Sequence, residues 1–131
     1  MTEIDHVAIA VYDLEVAIEW YDRVLGVRLV HREHIESEGV EEALLEVAES
    51  YIQLLSPTRE DSTVARFLRR RGEGIHHIGY RVADCEAALT QAEKEGAQAI
   101  TPLPLAGSRG TTVAFLRPSS AFGTLIELVQ E

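Results

Sequence analysis

Residues 4–11, IDHVAIAV, alternate with the two-residue period of a β-strand: His6, Ala8 and Ala10 share one side, and Val7, Ile9 and Val11 share the other. The period then changes. Leu14, Ala17, Ile18, Tyr21 and Leu25 recur at helical spacing between a capping Asp13 and a terminating Gly26, which predicts one amphipathic helix lying on Val7, Ile9 and Val11. Residues 27–34, 43–48 and 51–55 return to strand patterning, separated by glycine-containing or acidic turns. A proline break follows at PTREDSTVARFLRRRGEG, then a cap at Asp61 or Ser62 and a short helix to about Arg71. Beyond it the order repeats, with a strand at 75–82, a helix at 84–95 stopped by Gly96, and strands near 97–100, 112–117 and 124–129. Trp20, Tyr21 and Phe67 are expected to be packing residues.

The second half does more than repeat the order of elements. DHVAIAVYDLEVAI (residues 5–18) aligns without a gap on HHIGYRVADCEAAL (residues 76–89), so His6 falls on His77, Val11 on Val82 and Asp13 on Asp84. Further along, YIQLL (51–55) resembles LIELV (125–129), which sets Gln53 on Glu127. The chain reads as one domain made of two copies of a module: the first at about 3–56, a linker helix at about 60–71, and the second at about 74–130. Each module has the order strand, helix, three strands, so the fold class is α+β, with two paired βαβββ modules forming a curved mixed sheet.

Alternation also separates the adjacent histidines of GIHHIGYRV. His76 shares its face with Ile78, Tyr80 and Val82, the packed side; His77 shares its face with Gly79 and Arg81, an open side carrying a charge. The repeat then places His6, Gln53, His77 and Glu127 on equivalent strands, all facing one concave cleft if the modules pair about a twofold axis. Two nitrogen and two oxygen donors suit a divalent transition metal with positions left for substrate. Taken singly, any of these side chains is more often a surface or satisfied core residue; the repeat is what makes them a set. His76 aligns with Asp5 and is expected to be structural. His31 and His34 have no counterpart in the second copy and are read as solvated or substrate-lining. Cys85 opens a helix with no histidine placed beside it by the repeat, which argues against a nucleophile.

Composition narrows the partners. The 131 residues carry 12 Lys and Arg against 22 Asp and Glu, a formal net charge of −10, which argues against the basic face that nucleic acid or an anionic membrane requires and leaves an anionic small ligand to locally placed arginines. One cysteine cannot form an internal disulfide, and no apolar run has the length of a transmembrane helix or the plan of a signal peptide, so a cytoplasmic location is expected.

The stretches IDHVAIAVYDLEVAIEWYDRVLG, SYIQLLSPTREDSTVARFL, GEGIHHIGYRV and VAFLRPSSAFGTLIELVQ resemble the methylmalonyl-CoA epimerases of the vicinal oxygen chelate superfamily over nearly the whole chain. The resemblance implies that superfamily's fold around a metal cleft, one divalent ion per chain (cobalt favoured, with manganese, nickel or zinc as alternatives), a homodimer, and an acyl-CoA thioester substrate. It implies metal ligation by His6, Gln53, His77 and Glu127. It further implies a second carboxylate in the strand after a glycine-valine pair, here Glu42 of EGVEEALLEV; a solvated turn glutamate among Glu36, Glu38, Glu41 and Glu46 is the alternative.

The implied reaction moves the C2 proton of (2S)- and (2R)-methylmalonyl-CoA through an enolate that the metal stabilises, which calls for an acid/base group on each face of the carbon. Glu42 and Glu127 are the candidates, Glu127 also touching the metal. The loop LAGSRGTTV (105–113) offers backbone N–H groups and Ser108 to the substrate carboxylate, with Arg109 a weaker candidate. Arg59, Arg69, Arg70 and Arg71 are available for the CoA phosphates but equally suit a solvated helix face. Other readings stay open: a glyoxalase I-like lyase, an extradiol dioxygenase, or a metal-free ligand-sequestering protein. Against the dioxygenase, iron oxygenases favour two histidines and one carboxylate, and Gln53 would fill a position they leave open.

Overall fold

The computed structural model describes residues 3–131. Among them the order is β1 (Glu3–Ala10), α1 (Leu14–Leu25), β2 (Arg28–Ile35), β3 (Val40–Val47), β4 (Ser50–Pro57), α2 (Thr63–Arg71), β5 (Gly74–Arg81), α3 (Cys85–Lys94), β6 (Leu105–Ala106), β7 (Thr112–Leu116) and β8 (Ile126–Gln130), an α+β chain. Two compact units divide it: His6–His76, and His77–Glu131 together with the start of β1 through Asp5. No helix among the described residues is long and apolar enough to cross a membrane.

In the unit His6–His76 the strands run in the order β2-β3-β4-β1. β2, β3 and β4 form antiparallel hairpins, and β4 then returns parallel to β1 with Ala8 against Gln53 and Ala10 against Leu55. A parallel neighbour needs a long crossover, which α1, β2 and β3 together supply. α1 begins where the Asp13 carboxylate accepts from the Val16 N–H, and ends at Gly26, whose φ of 66° is open to glycine at little cost. As the alternation predicts, Ile9 and Val11 pack under α1 with Leu14, Ala17, Ile18, Tyr21, Leu45 and Leu54. The opposite face carries Ala8, Ala10, Val40 and Leu55, and Val64, Phe67 and Leu68 of α2 cover it. Ser62, rather than Asp61, caps α2, its hydroxyl accepting from the Ala65 N–H at 3.0 Å. With a helix on each face, β4 buries Gln53, Leu54 and Leu55 in succession. Two expected packing positions differ. Leu25 is exposed, and Trp20 is 44% exposed and only edges onto the Tyr21 ring at 5.2 Å, because both face away from the sheet.

The second unit has the order β5-β8-β7-β6. β8 runs parallel to β5, with Gly79 against Glu127, and antiparallel to β7, with Phe115 against Glu127. Val82, Ala114, Leu116 and Leu128 face α3 and pack on Cys85 and Leu89. The strand expected near 97–100 does not form. That stretch makes a single bridge from Ala99 to Leu116, and a two-residue β6 pairs with β7 instead. Pro102 and Pro104 explain the interruption, since neither has an N–H for a ladder.

Leu54 is fully buried against α1, so Leu54→Ala is expected to lower the unfolding free energy in urea by about 2–5 kcal/mol. Val16→Ser, on the exposed side of the same helix, is expected to change it by less than about 0.5 kcal/mol. Equal losses would show that α1 is packed the other way round.

Candidate active site

One strand face of the unit ending at Glu131 collects His77, Gly79 and Arg81 of β5, Glu127 of β8, and Val113 and Phe115 of β7. His77 Nε2 lies 3.0 Å from Glu127 Oε1, and the Phe115 ring meets the imidazole edge-on with centroids 5.8 Å apart. Only 5% of His77 and 8% of Glu127 is exposed. The expected facing of the two histidines holds, but the expected openness does not: His77 is the buried one, roofed in part by Phe115, whereas His76 is half-buried against Phe67 at a ring distance of 5.0 Å. A histidine and a carboxylate held together out of solvent form a pair able to bind a metal.

The unit His6–His76 carries a matching pair. His6 and Gln53, both buried, lie on one face of the β1–β4 ladder, since Gln53 is in register with Ala8, two residues beyond His6. Glu42 of β3 sits diagonally across from Gln53 on the same face, and the Gln53 amide donates from Nε2 to Glu42 Oε1 at 2.6 Å. The strand starts at Val40, so Glu42 is internal to it and 0% exposed, which overturns the solvated-turn alternative. Glu33 lies directly opposite Glu42 on β2, and His31 reaches both, its Nε2 3.0 Å from Glu33 Oε1 and 3.8 Å from Glu42 Oε2. Two buried atoms on this face, Gln53 Oε1 and Glu42 Oε2, have no hydrogen-bond partner. Leaving an acceptor unsatisfied out of water costs about 1–3 kcal/mol, and a cation or a proton donor arriving at the site recovers it. Gln53 Oε1 therefore fits the role of a metal ligand that the fold family implies, and the His77–Glu127 pair fits it by donor type.

Ser108 sits at the tip of the β6–β7 hairpin. Its carbonyl accepts from both the N–H and the hydroxyl of Thr111, at 3.0 and 2.7 Å, and the Gly107 N–H donates to the Thr111 carbonyl at 2.8 Å. A Cβ on Gly107 would meet Thr111 Oγ1 at 2.6 Å and Val113 Cγ1 at 2.7 Å, so only glycine closes this turn. Arg109, at φ 56°, is turned away from the role of substrate ligand: its guanidinium donates to Asp5 Oδ2 at 3.1 Å. Asp5, 0% exposed, also takes two hydrogen bonds from Arg81 on Oδ1, at 3.0 and 2.7 Å. These bonds hold the Arg81 guanidinium charged, above its ordinary range. The alternation shows Arg81 on the face of His77, but nothing local reveals that its partner stands at the far end of the chain. His31 and Glu33 were likewise invisible as neighbours of Glu42 until the β2–β3 register was known.

The remaining candidates have other partners. Arg59 donates to Asp61, Arg69 to the Glu60 carbonyl, and Arg71 lies over the Phe67 ring. Cys85 is buried, and desolvation, then Glu127 and Asp84, push its thiol up, so no thiolate is available as a nucleophile. Asp5→Ala removes the buried carboxylate that Arg81 and Arg109 share, leaving them Glu131 at 3.4 and 3.9 Å and, for Arg81, Glu3, and is expected to cost about 1–3 kcal/mol in denaturant unfolding. A loss of under about 1 kcal/mol, the value of an exposed pair, would show that solvent screens the cluster.

Comparison with known proteins gives a consistent picture. The Glyoxalase/Bleomycin resistance protein/Dioxygenase superfamily matches residues 5–115. The chain is 37% identical over 129 residues to the ethylmalonyl-CoA/methylmalonyl-CoA epimerase of Cereibacter sphaeroides, covering 97% of this chain and 96% of that one. Among solved structures, it matches methylmalonyl-CoA epimerase from Mycobacterium tuberculosis at TM-score 0.95 and 42% identity, over 98% of this chain and 87% of that one. It matches a Streptomyces coelicolor methylmalonyl-CoA epimerase, with a glutamate replaced by glutamine and 2-nitronate-propionyl-CoA bound, at TM-score 0.95 and 39% identity over 100% of this chain and 98% of that one.

Proposed function

The chain belongs to the glyoxalase/bleomycin resistance protein/dioxygenase superfamily, and we propose that it is a metal-dependent epimerase that interconverts (2S)- and (2R)-methylmalonyl-CoA. The observation that carries this reading is the pair of buried glutamates, each bonded to a different proposed ligand: Glu127 to His77 and Glu42 to Gln53. A buried carboxylate with an unsatisfied oxygen is costly to keep without a use, and moving a proton is such a use. The relatives are named for this activity. The Streptomyces structures with 2-nitronate-propionyl-CoA bound replace a glutamate, a glutamine or a serine, the residue types of Glu42, Gln53 and Ser108.

His6, Gln53, His77 and Glu127 are the residues that would hold the ion, cobalt being favoured; support comes from the repeat, from the equivalent strand faces and from the orphaned Gln53 Oε1. When bound, a divalent ion supplies Lewis acidity toward the negative charge that develops as C2 loses its proton. Glu42 takes or delivers that proton through Oε2 on one side of the carbon, while the Gln53 N–H keeps Oε1 occupied and fixes the carboxylate in the plane. Glu127 does the same from the other side, oriented through His77. Ser108, at the tip of its turn, holds the substrate carboxylate through its hydroxyl. Phe115 and the apolar strand face keep water from the carbanionic carbon. The working form in this reading is a cytoplasmic homodimer with a complete set of residues in each chain.

The purified protein is expected to bind about one divalent ion per chain; His77→Ala should abolish binding and activity, while His76→Ala keeps the metal. Retention in the first variant with loss in the second would invert the assignment. Glu42→Gln should leave the ion in place and lower interconversion of the two epimers by about 10²–10⁴-fold. In deuterated water that variant should still exchange the C2 proton of one epimer without inverting it. Near-normal epimerisation by Glu42→Gln would remove Glu42 from the mechanism, and a wild-type protein that leaves both epimers untouched would end the reading altogether.

A further inference from the structure

A two-base epimerisation leaves the enzyme in the wrong state at the end of each turnover. The residue that began as a base now holds the proton taken from the substrate, and it must lose that proton before it can act in the same direction again. For Glu42 this is a problem of access, because the side chain is 0% exposed. Gln53, bonded to Oε1, is an amide donor and cannot accept a proton onward. The other oxygen, Oε2, has no hydrogen-bond partner and looks toward His31 Nε2 at 3.8 Å. His31 is about one third exposed, and the same Nε2 lies 3.0 Å from Glu33 Oε1, which is itself 38% exposed.

The register makes this arrangement specific. Glu33 and Glu42 are directly opposed across the β2–β3 ladder, and two like charges in that position repel. Arg32, next to Glu33 in sequence, is engaged with Glu15 and Glu41. The imidazole of His31 lies with its Nε2 within 4 Å of both carboxylates. It turns the three side chains into a line from the interior to water.

We propose that His31 is a proton relay for Glu42, with Glu33 as the outer station. The inference rests on Glu42 being an acid/base of the proposed reaction. A ring swing of about 1 Å brings Nε2 within hydrogen-bond distance of Oε2. In the tautomer that carries its proton on Nδ1, the Nε2 lone pair takes the proton as the O–H bond of protonated Glu42 breaks, leaving a carboxylate and an imidazolium. The imidazolium then passes a proton to Glu33 or to water and returns to neutral. Run backwards, the same steps load Glu42 for the opposite direction of epimerisation.

The test compares the first turnover with steady state in the metal-loaded enzyme. In His31→Ala the rate of the first turnover from (2S)-methylmalonyl-CoA, measured by rapid quench, should stay within about 2-fold of wild type while the steady-state rate falls by about 10-fold or more, since release of the proton and not chemistry becomes limiting. Added imidazole should restore the steady-state rate, and Glu33→Gln should show a weaker form of the same split. An unchanged steady-state rate in His31→Ala overturns the relay. So does an equal fall in both phases with no response to imidazole, which would make His31 a structural support. His31, Glu33 and Glu42 also form a set that could hold a metal ion, so a second ion per chain in the wild type, missing from His31→Ala, would replace the relay with a metal site. Failure of the wild type to interconvert the epimers would sink the functional reading instead, whereas an active wild type with an unimpaired His31→Ala sinks the relay alone.

Discussion

The parallel ladder joining the first and last strand of each unit is the constraint from which the site follows. In one unit it sets Ala8 beside Gln53, and in the other Gly79 beside Glu127. Two residues before each small residue stands a histidine, His6 or His77, on the same face. A slip of one residue in either ladder would carry the donor to the face that packs on α1 or α3, and the register is held against such a slip by the apolar clusters on those faces.

Hydrogen-bond satisfaction, rather than burial, distinguishes Asp5 from Glu42. Asp5 is as deeply buried as Glu42, yet both its oxygens are engaged by Arg81 and Arg109, so its charge is matched where it lies. Glu42 has one oxygen held by a neutral amide and one that accepts nothing, and Gln53 has the same imbalance at Oε1. Structural polar groups in folded proteins are satisfied with few exceptions, and the exceptions concentrate where a ligand or a proton is expected. The destabilisation such atoms bring is borne by the two helix-covered faces of the sheet in the unit His6–His76.

Periodicity and the repeat made the elements, their caps and the facing of each strand readable before any coordinates, because these depend on side chains within a few residues of one another. The alternation of IDHVAIAV predicted the packing of Ile9 and Val11 under α1, and Asp13 and Asp84 cap their helices as read. What stayed hidden depends on partners distant in sequence. The burial of His77 comes in part from Phe115, the engagement of Arg109 from Asp5, and the environment of Glu42 from the pairing of β2 with β3. The missing strand near 97–100 is a different failure: its small apolar residues, Ala97 and Ala99, do pack on the α3 cluster, but the prolines that follow end the ladder after one bridge.

The two copies are equivalent in their donors and unlike in what surrounds them. From the registers, the second-unit counterpart of Glu42 is Val113, and that of Glu33 is Leu105. The extra carboxylate and its histidine therefore exist in one copy only. That copy is also the one whose oxygen donor is glutamine rather than glutamate. A glutamate at position 53 would set a second carboxyl group against Glu42 with no N–H to donate to it, whereas the Gln53 amide donates to Glu42 Oε1 at 2.6 Å. Each copy thus contributes one carboxylate, Glu42 from the first and Glu127 from the second.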